Sequence, residues 1–401
     1  ELYSINPNQD ILNDSNSFGF AFASQFLNLE EGHRKVVFTI NLEIGSNSQF
    51  KNEIESNITD TSIESVNEFL CELFSVSYSS HEKWIQLDTE LIETKVIEDT
   101  IGGWSELIQV TVLIPDTKEP VTTSIDPETM EESFPEFKFL LNPRLSHLLF
   151  SLKCCLFTEI DIFIEILGVK NLLLSNDFGV LNQDAPFNPF GTNPILGSSF
   201  YVGHAFLFNY PLADFKLNIE WFGLPLMDGG FDEYYDGYSQ IDGNEDFKVK
   251  ISALKNKSWF PDEDKQIVDL FQRVPNQEEN TVSSFRRLNE FHLEDLHLNT
   301  TKIYNEHNEA YSSLSISGFL KLELCYPLVA FGHDSYPNVV REAAMKRVKK
   351  KNHPHPNEPY TPVIKELTVD MSSKMSFNET NQNEFIIKHI YPFGSEIKRL
   401  K

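Results

Sequence analysis

The chain has 401 residues, and its 33 Lys and Arg against 60 Asp and Glu give a formal net charge of -27. This length allows two or three domains with sizeable cores, and the acidic surface argues against nucleic-acid binding because a phosphate backbone would repel it. No uncharged apolar run approaches the ~20 residues that a membrane-spanning helix needs, and the N-terminus shows no signal peptide.

The composition favours large cores and interfaces over redox or metal chemistry. The chain holds 33 Phe, 13 Tyr and 4 Trp, which supply large rigid apolar groups. The four cysteines, Cys71, Cys154, Cys155 and Cys325, lack the spacing of a zinc site, so we expect a reducing folding compartment. Because the sequence does not begin with Met, we also expect it to be a segment of a longer polypeptide that continues beyond residue 401.

The first part of the chain is typical of a polar arm followed by a β-rich domain. We predict an arm or linker over residues 1–18 and an N-terminal β-rich domain over residues 19–135. In this domain the alternation of residues 36–42 predicts a strand. The stretch TSIESVNEFLCELF has apolar residues at helical spacing, and Thr61 with Glu64 matches a capping box at its start.

Residues 136–260 predict a second β-rich domain. Pro143 suits the first turn of a helix, and the alternating residues 160–166 predict a strand. A Pro- and Gly-rich loop then begins at Pro186. It leads into residues 215–221, whose odd-numbered members are apolar and whose even-numbered members are polar, which predicts a half-buried strand.

The last part of the chain alternates between charged and β-like stretches. We predict a charged linker over residues 261–298 and a C-terminal β-rich domain over residues 299–401. Residues 314–324 alternate as a long strand, and Pro337 starts a short helix whose C-terminal end is basic. The predicted fold class is therefore mainly β with a few short helices (α+β), arranged as two to three β-sandwich-like domains in an elongated subunit.

One acidic segment superficially matches a calcium loop. Asp242, Asn244 and Asp246 stand at alternate positions. The calcium pattern needs a Gly after the third ligand and a bidentate Glu at its end, but Phe247 and Ala253 occupy these places. We therefore favour a solvated acidic loop over a metal site.

The histidines and the known catalytic motifs do not indicate an enzyme. His353 and His355 lie in a proline-rich turn, and His333 follows a Gly directly before a helix, where turn or core roles are the common ones. The sequence contains no GxGxxG, GxxxxGK[ST], HExxH or GxSxG motif. We predict no catalytic residue, no metal site and no cofactor.

The rigid, aromatic loop and strand from Pro186 to Trp221 favour assembly over chemistry. Such a segment is typical of a docking surface or a domain junction, where aromatic side chains act as anchors or as the core beneath the contact. The predicted anchors are Phe187, Phe190, Phe200, Tyr201, Trp221 and Phe222. The basic residues Lys346 and Arg347 are candidates for contact with an acidic protein face, and a solvated helix end is an equal alternative.

Four stretches resemble, in this order, the large baseplate wedge protein of extracellular contractile injection systems, the phage-tail-like particles of bacteria. They are GFAFASQFLNLEEGHR, PFNPFGTNPILGSSFYVGHAF with LNIEWFGLP, SGFLKLELCYPLVAFGHDSYP, and NEPYTPVIKELTVDMSS with IYPFG further on. Asn188, Thr192 and Asn193 depart from the family's PFG loop, and Met371 stands where the family tends to have Tyr.

The resemblance implies a non-enzymatic subunit that occurs in wedges with sixfold symmetry around a central hub. It implies that the subunit holds the baseplate together, couples its rearrangement to sheath contraction, and is assembled in the bacterial cytoplasm before the particle is released. The implied partners are a baseplate-J-like wedge protein, a small sheath-initiating wedge protein, the central hub or spike, and neighbouring copies of itself. Nucleic-acid binding and membrane insertion are not implied.

A carbohydrate-binding or carbohydrate-active β-sandwich protein is the alternative. The acidic loop from Asp228 to Asp246 contains several aromatic residues that would suit sugar stacking if they were exposed. A hydrolase would need two carboxylates about 5–9.5 Å apart in a cleft. Aromatic side chains that are exposed to solvent would therefore favour the carbohydrate function, and buried ones would favour the structural function.

Overall fold

The computed structural model describes most of the chain, in two compact units. The described residues are 18–43, 49–60, 62–81, 83–98, 104–123, 134–148, 156–204, 212–225, 229–261, 266–274, 282–289, 311–315, 318–349, 354–378, 385–391 and 394–398. Unit 1 comprises Glu1–Ile166 and Lys374–Lys401, and unit 2 comprises Leu167–Ser373. The predicted arm at residues 1–18 lies outside the described residues except for Phe18, and the predicted division into domains stays a prediction.

The elements confirm a mainly β fold with a few short helices. The strands are β1 (Gly19–Ala23), β2 (His33–Glu43), β3 (Phe74–Ser80), β4 (Lys83–Gln86), β5 (Ile92–Glu98), β6 (Trp104–Ile114), β7 (Glu136–Leu141), β8 (Leu156–Val169), β9 (Leu173–Asn176), β10 (Gly179–Val180), β11 (Ser199–Gly203), β12 (Leu212–Phe222), β13 (Lys248–Lys255), β14 (Ser258–Phe260), β15 (Ile267–Asp269), β16 (Phe285–Leu288), β17 (Phe319–Tyr326), β18 (Val363–Phe377), β19 (Ile386–Tyr391) and β20 (Gly394–Lys398). The α-helices are α1 (Gln49–Asn57), α2 (Ile63–Leu70), α3 (Gly230–Tyr234) and α4 (Tyr336–Lys349). Short 3-10 helices span Gln25–Leu27, Thr89–Leu91, Pro143–Leu148 and Asn244–Asp246.

A six-stranded sheet in unit 1 has the strand order β20-β19-β1-β7-β3-β4. Strand β1 lies between two antiparallel neighbours, so that Gly19 pairs with Leu140 of β7 on one side and with Ile390 of β19 on the other. A Cβ atom at Gly19 would lie 2.0 Å from the Phe139 carbonyl oxygen. Only glycine therefore allows this close approach of the two strands.

Phenylalanine rings fill the core of unit 1. The contacting ring centroids of Phe20, Phe22, Phe38 and Phe139 are 5.0–5.5 Å apart. Phe38 lies on β2, as the alternation of residues 36–42 predicts. Because aromatic pairs at this spacing stabilise a core beyond the area that they bury, much of the Phe content of the chain is explained by packing.

Strands β8, β2, β6 and β5 follow one another in a second sheet of unit 1. Helix α2, which the sequence predicts, is present, but its N-cap is Ser62, whose Oγ accepts a hydrogen bond from the Ser65 N–H at 3.4 Å. The predicted cap, Thr61, lies outside the described residues. The helix therefore begins with a serine cap of the expected chemistry.

Unit 2 contains a sheet with the order β10-β9-β11-β17-β13-β14, in which β15 also pairs with β13, and the strands β16, β12 and β18, which are neighbours in that order. Strands β15 and β16 lie within the segment predicted as a charged linker, residues 261–298. Strand β17 begins at Phe319, and the predicted start at Leu314 is wrong. Leu314 lies in a turn with 75% of its surface exposed, and Gly318, directly before β17, has φ +86, outside the extended region.

Candidate assembly surface

The acidic aromatic segment of unit 2 belongs to the core. Phe231 on α3, Tyr235 and Phe247 are each at most 1% exposed. The Phe231 ring contacts those of Phe247 at 4.9 Å and Phe271 at 4.8 Å, and the Phe247 ring stacks on Phe331 at 4.6 Å. These buried rings cannot form the sugar-stacking platform of the carbohydrate alternative, which finds no support.

Tyrosine hydroxyls tie this aromatic core to the segment before β18. The Tyr235 hydroxyl donates to the Phe331 carbonyl at 3.0 Å and accepts from the Tyr360 N–H at 3.1 Å. The Tyr238 hydroxyl donates to the Asn357 carbonyl at 2.7 Å. The Tyr360 hydroxyl in turn donates to the Phe222 carbonyl at the end of β12. Burial raises the pKa of Tyr235, Tyr238 and Tyr360, because a phenolate would lose its hydration there.

Residues of the three motifs from unit 2 thus meet in one place. The strand after the PFG loop contributes Phe222, the AFGHDSYP motif contributes Phe331, and the NEPYTP motif contributes Tyr360. Tyr235, between these motifs in the sequence, joins two of them through its hydroxyl. The motifs therefore specify a rigid internal frame.

Most of the predicted aromatic anchors lie beneath the surface. The fractional exposures are Phe187 7%, Phe190 1%, Phe200 1%, Trp221 3% and Phe222 55%, and Tyr201 is half-buried. The Phe200 ring contacts Phe187 at 5.9 Å and Phe190 at 6.4 Å, and the Trp221 ring contacts Phe271 at 5.0 Å. These contacts agree with the second role considered for these residues, that of a core beneath the contact surface. Among these aromatic residues, Phe222 is the exposed one.

Hydrogen bonds hold the PFG loop in place. Phe187 and Ile364 exchange two backbone hydrogen bonds of 2.9 and 3.0 Å. The Asn188 amide donates to the Pro362 carbonyl at 3.1 Å, and its own carbonyl accepts from the Asn176 side chain at 3.1 Å. Asn188, a departure from the family's loop, therefore contributes to the rigidity of the loop.

Four exposed apolar side chains lie in the loop that begins at Pro186 or shortly before it in the sequence. We call them the apolar rim: Phe178 is 76% exposed, Val180 66%, Ile195 53% and Leu196 43%. The Phe178 ring lies against Gly191, where a Cβ atom would be 2.4 Å from the ring. A usable signal was present, because Ile195 and Leu196 stand in a Pro- and Gly-rich turn where no alternation requires apolar residues.

The backbone under the apolar rim is fixed. The Gly197 N–H donates to the Leu324 carbonyl at 2.8 Å, and the Ile195 N–H donates to the Ser198 hydroxyl at 3.0 Å. The Ser199 N–H donates to the Asp177 carboxylate at 2.7 Å. A rigid apolar surface of this kind loses little conformational entropy on binding.

The basic residues lie on α4, beside a cleft. Lys346 and Arg347 are both exposed. The cleft has a volume of about 260 Å³, and its lining includes Glu233, Asp236 and Lys346. The charged side chains that line the cleft are therefore mainly acidic, with the ammonium group of Lys346 among them.

In the acidic segment that superficially matches a calcium loop, the side-chain oxygens of Asn244 and Asp246 accept hydrogen bonds from backbone N–H groups. The Asp246 carboxylate accepts from the backbone N–H groups of Asp242 and Gly243 at 2.5 and 3.2 Å, and the Asn244 side chain accepts from the Phe231 N–H at 2.9 Å. These oxygens hold the turn itself. Within the described part of the chain, no group of three or more His, Cys, Asp or Glu side chains could hold a metal ion.

His333 and His355 make polar contacts with neighbouring residues of the same unit. His333 Nε2 lies 3.0 Å from the Thr361 hydroxyl, and burial lowers the pKa of His333. His355 Nδ1 donates to the Pro356 carbonyl at 2.8 Å. His353, Cys154 and Cys155 lie outside the described residues. In the part of the chain that the structure describes, no helix has the length and apolar character needed to cross a membrane.

Comparison with known proteins gives one family. A solved structure of an enterococcal surface protein, its partial N-terminal region, aligns over 98% of both chains with 8% identity and a TM-score of 0.15. No curated protein sequence matches the chain significantly. The family model described as baseplate protein PVC11-like matches residues 152–400, which is more than half of the chain. The chain therefore belongs to the PVC11-like family of baseplate proteins.

Proposed function

We propose that the chain is a structural, non-catalytic wedge subunit in the baseplate of a contractile injection system. The observation that carries this proposal is the family match over residues 152–400. The subunit holds the baseplate together around a hub or spike. It contacts a baseplate-J-like protein, a small sheath-initiating protein and copies of itself, and it enters the particle in the bacterial cytoplasm before release.

The rigid frame of unit 2 supports a mechanical role. Phe331, Tyr235 and Tyr360 are joined by hydrogen bonds and ring contacts, so a displacement at one motif is transmitted to the others with little deformation. In this mechanism the subunit has different contacts before and after firing. A difference of a few kcal/mol per subunit, multiplied around a ring, gives a sharp switch that releases sheath contraction.

The buried aromatic residues support a surface, and the exposed residues of that surface are the candidates for contact with neighbouring subunits. The exposed candidates are Phe222, the apolar rim, Lys346 and Arg347. Phe187, Phe190, Phe200 and Trp221 act beneath it as the supporting core. Truncating them would cost about 3–5 kcal/mol each in a packed core. A Trp221→Ala and Phe190→Ala variant would therefore report on folding as much as on assembly.

The sharper test changes the surface. In the Ile195→Asp, Leu196→Asp variant two exposed apolar side chains become charged, and we expect the isolated chain to fold normally by circular dichroism. We expect the variant to be absent from purified particles, or at least tenfold depleted by quantitative mass spectrometry, because a carboxylate buried in an apolar contact is strongly unfavourable.

Leu314→Asp is the matched control, since Leu314 is 75% exposed and lies outside the apolar rim. Electron microscopy of wild-type particles should place the chain in the baseplate with sixfold symmetry. A wild-type chain found only outside particles contradicts the proposed function. Normal incorporation of the Ile195→Asp, Leu196→Asp variant contradicts the role of the apolar rim alone.

A further inference from the structure

Helix α4 carries two distinct side-chain stripes. Val339, Glu342, Ala343 and Lys346 lie at i, i+3, i+4 and i+7, and all four line the cleft. A second stripe, which we call the outer stripe, consists of Arg341, Ala344, Met345 and Val348, which have the same spacing. Residues at this spacing share one face of a helix.

The outer stripe is open to solvent. All four of its side chains are exposed, with Met345 at 60% and Val348 at 89%. Among the side chains described along α4, from Tyr336 to Val348, none is buried. A helix of this length in a globular protein normally buries its apolar stripe. The exposed Met345 and Val348 are therefore not accounted for by packing within the described chain.

Hydrogen bonds and an aromatic contact fix the N-terminal end of α4. The Tyr336 N–H donates to the Gly332 carbonyl at 2.9 Å, the Ser335 hydroxyl donates to the same carbonyl at 3.0 Å, and the Tyr336 ring stacks on Tyr238 at 6.5 Å. The outer stripe begins one turn later. The helix thus presents its C-terminal half from a fixed attachment.

The charge of α4 is opposite to that of the chain. Four basic residues, Arg341, Lys346, Arg347 and Lys349, stand against one acidic residue, Glu342, in a chain of net charge -27. The helix dipole favours cations in the last turn, but it does not explain Arg341 in the middle of the helix or the apolar side chains beside it. A combined basic and apolar stripe complements a groove with an apolar floor and carboxylates at its rim.

We propose that the outer stripe of α4 docks into an acidic-rimmed apolar groove on a neighbouring protein of the baseplate. Met345 and Val348 fill the floor of the groove, and Arg341 pairs with carboxylates at its rim. This inference rests on the proposed function, since it takes the neighbour to be another baseplate component. An anionic membrane is the less favoured occupant, because the stripe lacks the Trp, Phe and Leu of interfacial helices and the chain as a whole is acidic.

The test uses complete particles and two outer-stripe variants. Met345→Ser with Val348→Ser removes the apolar part, and Arg341→Glu reverses the charge. We expect each to lower retention of the chain in particles washed at moderate salt by about tenfold or more, because two buried apolar groups or one buried charge pair are lost. High salt should reduce retention of the wild-type chain and have less effect on Arg341→Glu, because salt screens the charge pair.

Matched controls separate docking from folding. Leu314→Ser changes a side chain that is 75% exposed, and Arg144→Glu reverses an exposed charge in unit 1. We expect both to be retained normally. The outer-stripe variants should show the wild-type thermal unfolding curve, since exposed positions change stability by only about 0.5 kcal/mol.

A photo-crosslinking amino acid at position 345 identifies the occupant. We expect a cross-link to a peptide of another baseplate protein that contains Asp or Glu, and no such cross-link from position 314. Cross-linking to an uncharged or basic surface overturns the inference, as does normal retention of both outer-stripe variants. Binding of the isolated chain to vesicles of phosphatidylserine and phosphatidylcholine that is lost with Arg341→Glu also overturns it. Absence of the wild-type chain from particles contradicts the proposed function as well. Normal retention of both variants in particles that contain the wild-type chain contradicts only the docking of the outer stripe, and the proposed function stands.

Discussion

At the scale of single residues, Arg34 shows how one side chain can hold a loop. It is 1% exposed, and its two terminal nitrogens donate to the carbonyl groups of Leu29, Pro115, Lys118 and Glu119 at 2.7–3.2 Å. The Tyr78 hydroxyl also donates to the Glu119 carbonyl at 2.9 Å. Arg34 thus brings the Pro115, Lys118 and Glu119 carbonyl groups of the loop after β6 together around one buried guanidinium group.

Replacing Arg34 should loosen this loop. Arg34→Met keeps a similar stem but has no donor, and we expect the free energy of unfolding of unit 1 to fall by about 1–3 kcal/mol, because buried hydrogen bonds to a charged group are lost. Arg34→Lys should cost less, since its ammonium group keeps three donors but lacks the planar fork. Amide hydrogen exchange of residues 115–121 measures the effect directly. Arg144→Met at an exposed position is the control, and unchanged protection of residues 115–121 in Arg34→Met would contradict this role.

At the scale of elements, the alternation of apolar and polar residues in β12 predicts which side chains form the core, but it does not predict which polar side chains are also buried. Phe215, Leu217, Ile219 and Trp221 are all at most 3% exposed, as the alternation predicts. Asn218 on the polar face is also buried, at 7%. Its amide donates to Asp370 at 2.9 Å and its oxygen accepts from Arg287 at 2.8 Å. These partners lie on β18 and β16, so no local pattern in the sequence could have identified them.

This polar network predicts a difference between two residues on one face of β12. Asn218→Ala should lower the stability of unit 2 by about 1–3 kcal/mol, because it removes the hydrogen bonds of a buried side chain to two charged groups, those of Asp370 and Arg287. Glu220→Gln removes the ion pair with Lys365, whose atoms are 2.6 Å apart but exposed, and should cost at most about 1 kcal/mol. Denaturant unfolding of both variants measures the difference. Equal losses would show that the network around Asn218 contributes no more than a surface ion pair.

The candidate site illustrates a related limit of sequence reasoning. Proline and glycine in the PFG loop predict a rigid segment, but rigidity suits both a docking loop and the cover of a core. Phe187 and Phe190 are buried because Phe200 lies beneath them and Ile364 pairs with the loop. Only these contacts, between distant parts of the chain, separate the supporting residues from the exposed Ile195 and Leu196.

At the scale of the whole molecule, the tyrosine core makes stability sensitive to alkali. Burial raises the pKa of Tyr235 and Tyr360 above the ordinary value of 10.0, and that of Tyr201 to about 12. The folded state therefore holds these protons more tightly than the unfolded state. The resulting stability is fully present below pH 10 and is lost as the pH rises through the folded-state values.

We therefore expect unit 2 to unfold cooperatively in alkali above about pH 10, with the last tyrosines ionising together with the loss of structure. Tyrosinate absorbance and circular dichroism, recorded together, measure this coupling. Tyr235→Phe should be less stable at neutral pH, where it leaves the Tyr360 N–H unpaired, yet lose less stability between neutral pH and alkali. Ionisation of all tyrosines near pH 10 with the fold intact would contradict the prediction.

The place of β1 between β7 and β19 has a consequence for biosynthesis. Until residues 386–391 leave the ribosome, one side of β1 has no strand to pair with, although β7 is already available on the other side. The edge of β1 in unit 1 therefore stays unpaired while all of unit 2 is translated. Unpaired strand edges can form hydrogen bonds with other chains and so promote aggregation. Nascent chains truncated before Ile386 should accordingly be captured by chaperones and self-associate, whereas chains extended past Tyr391 should be released.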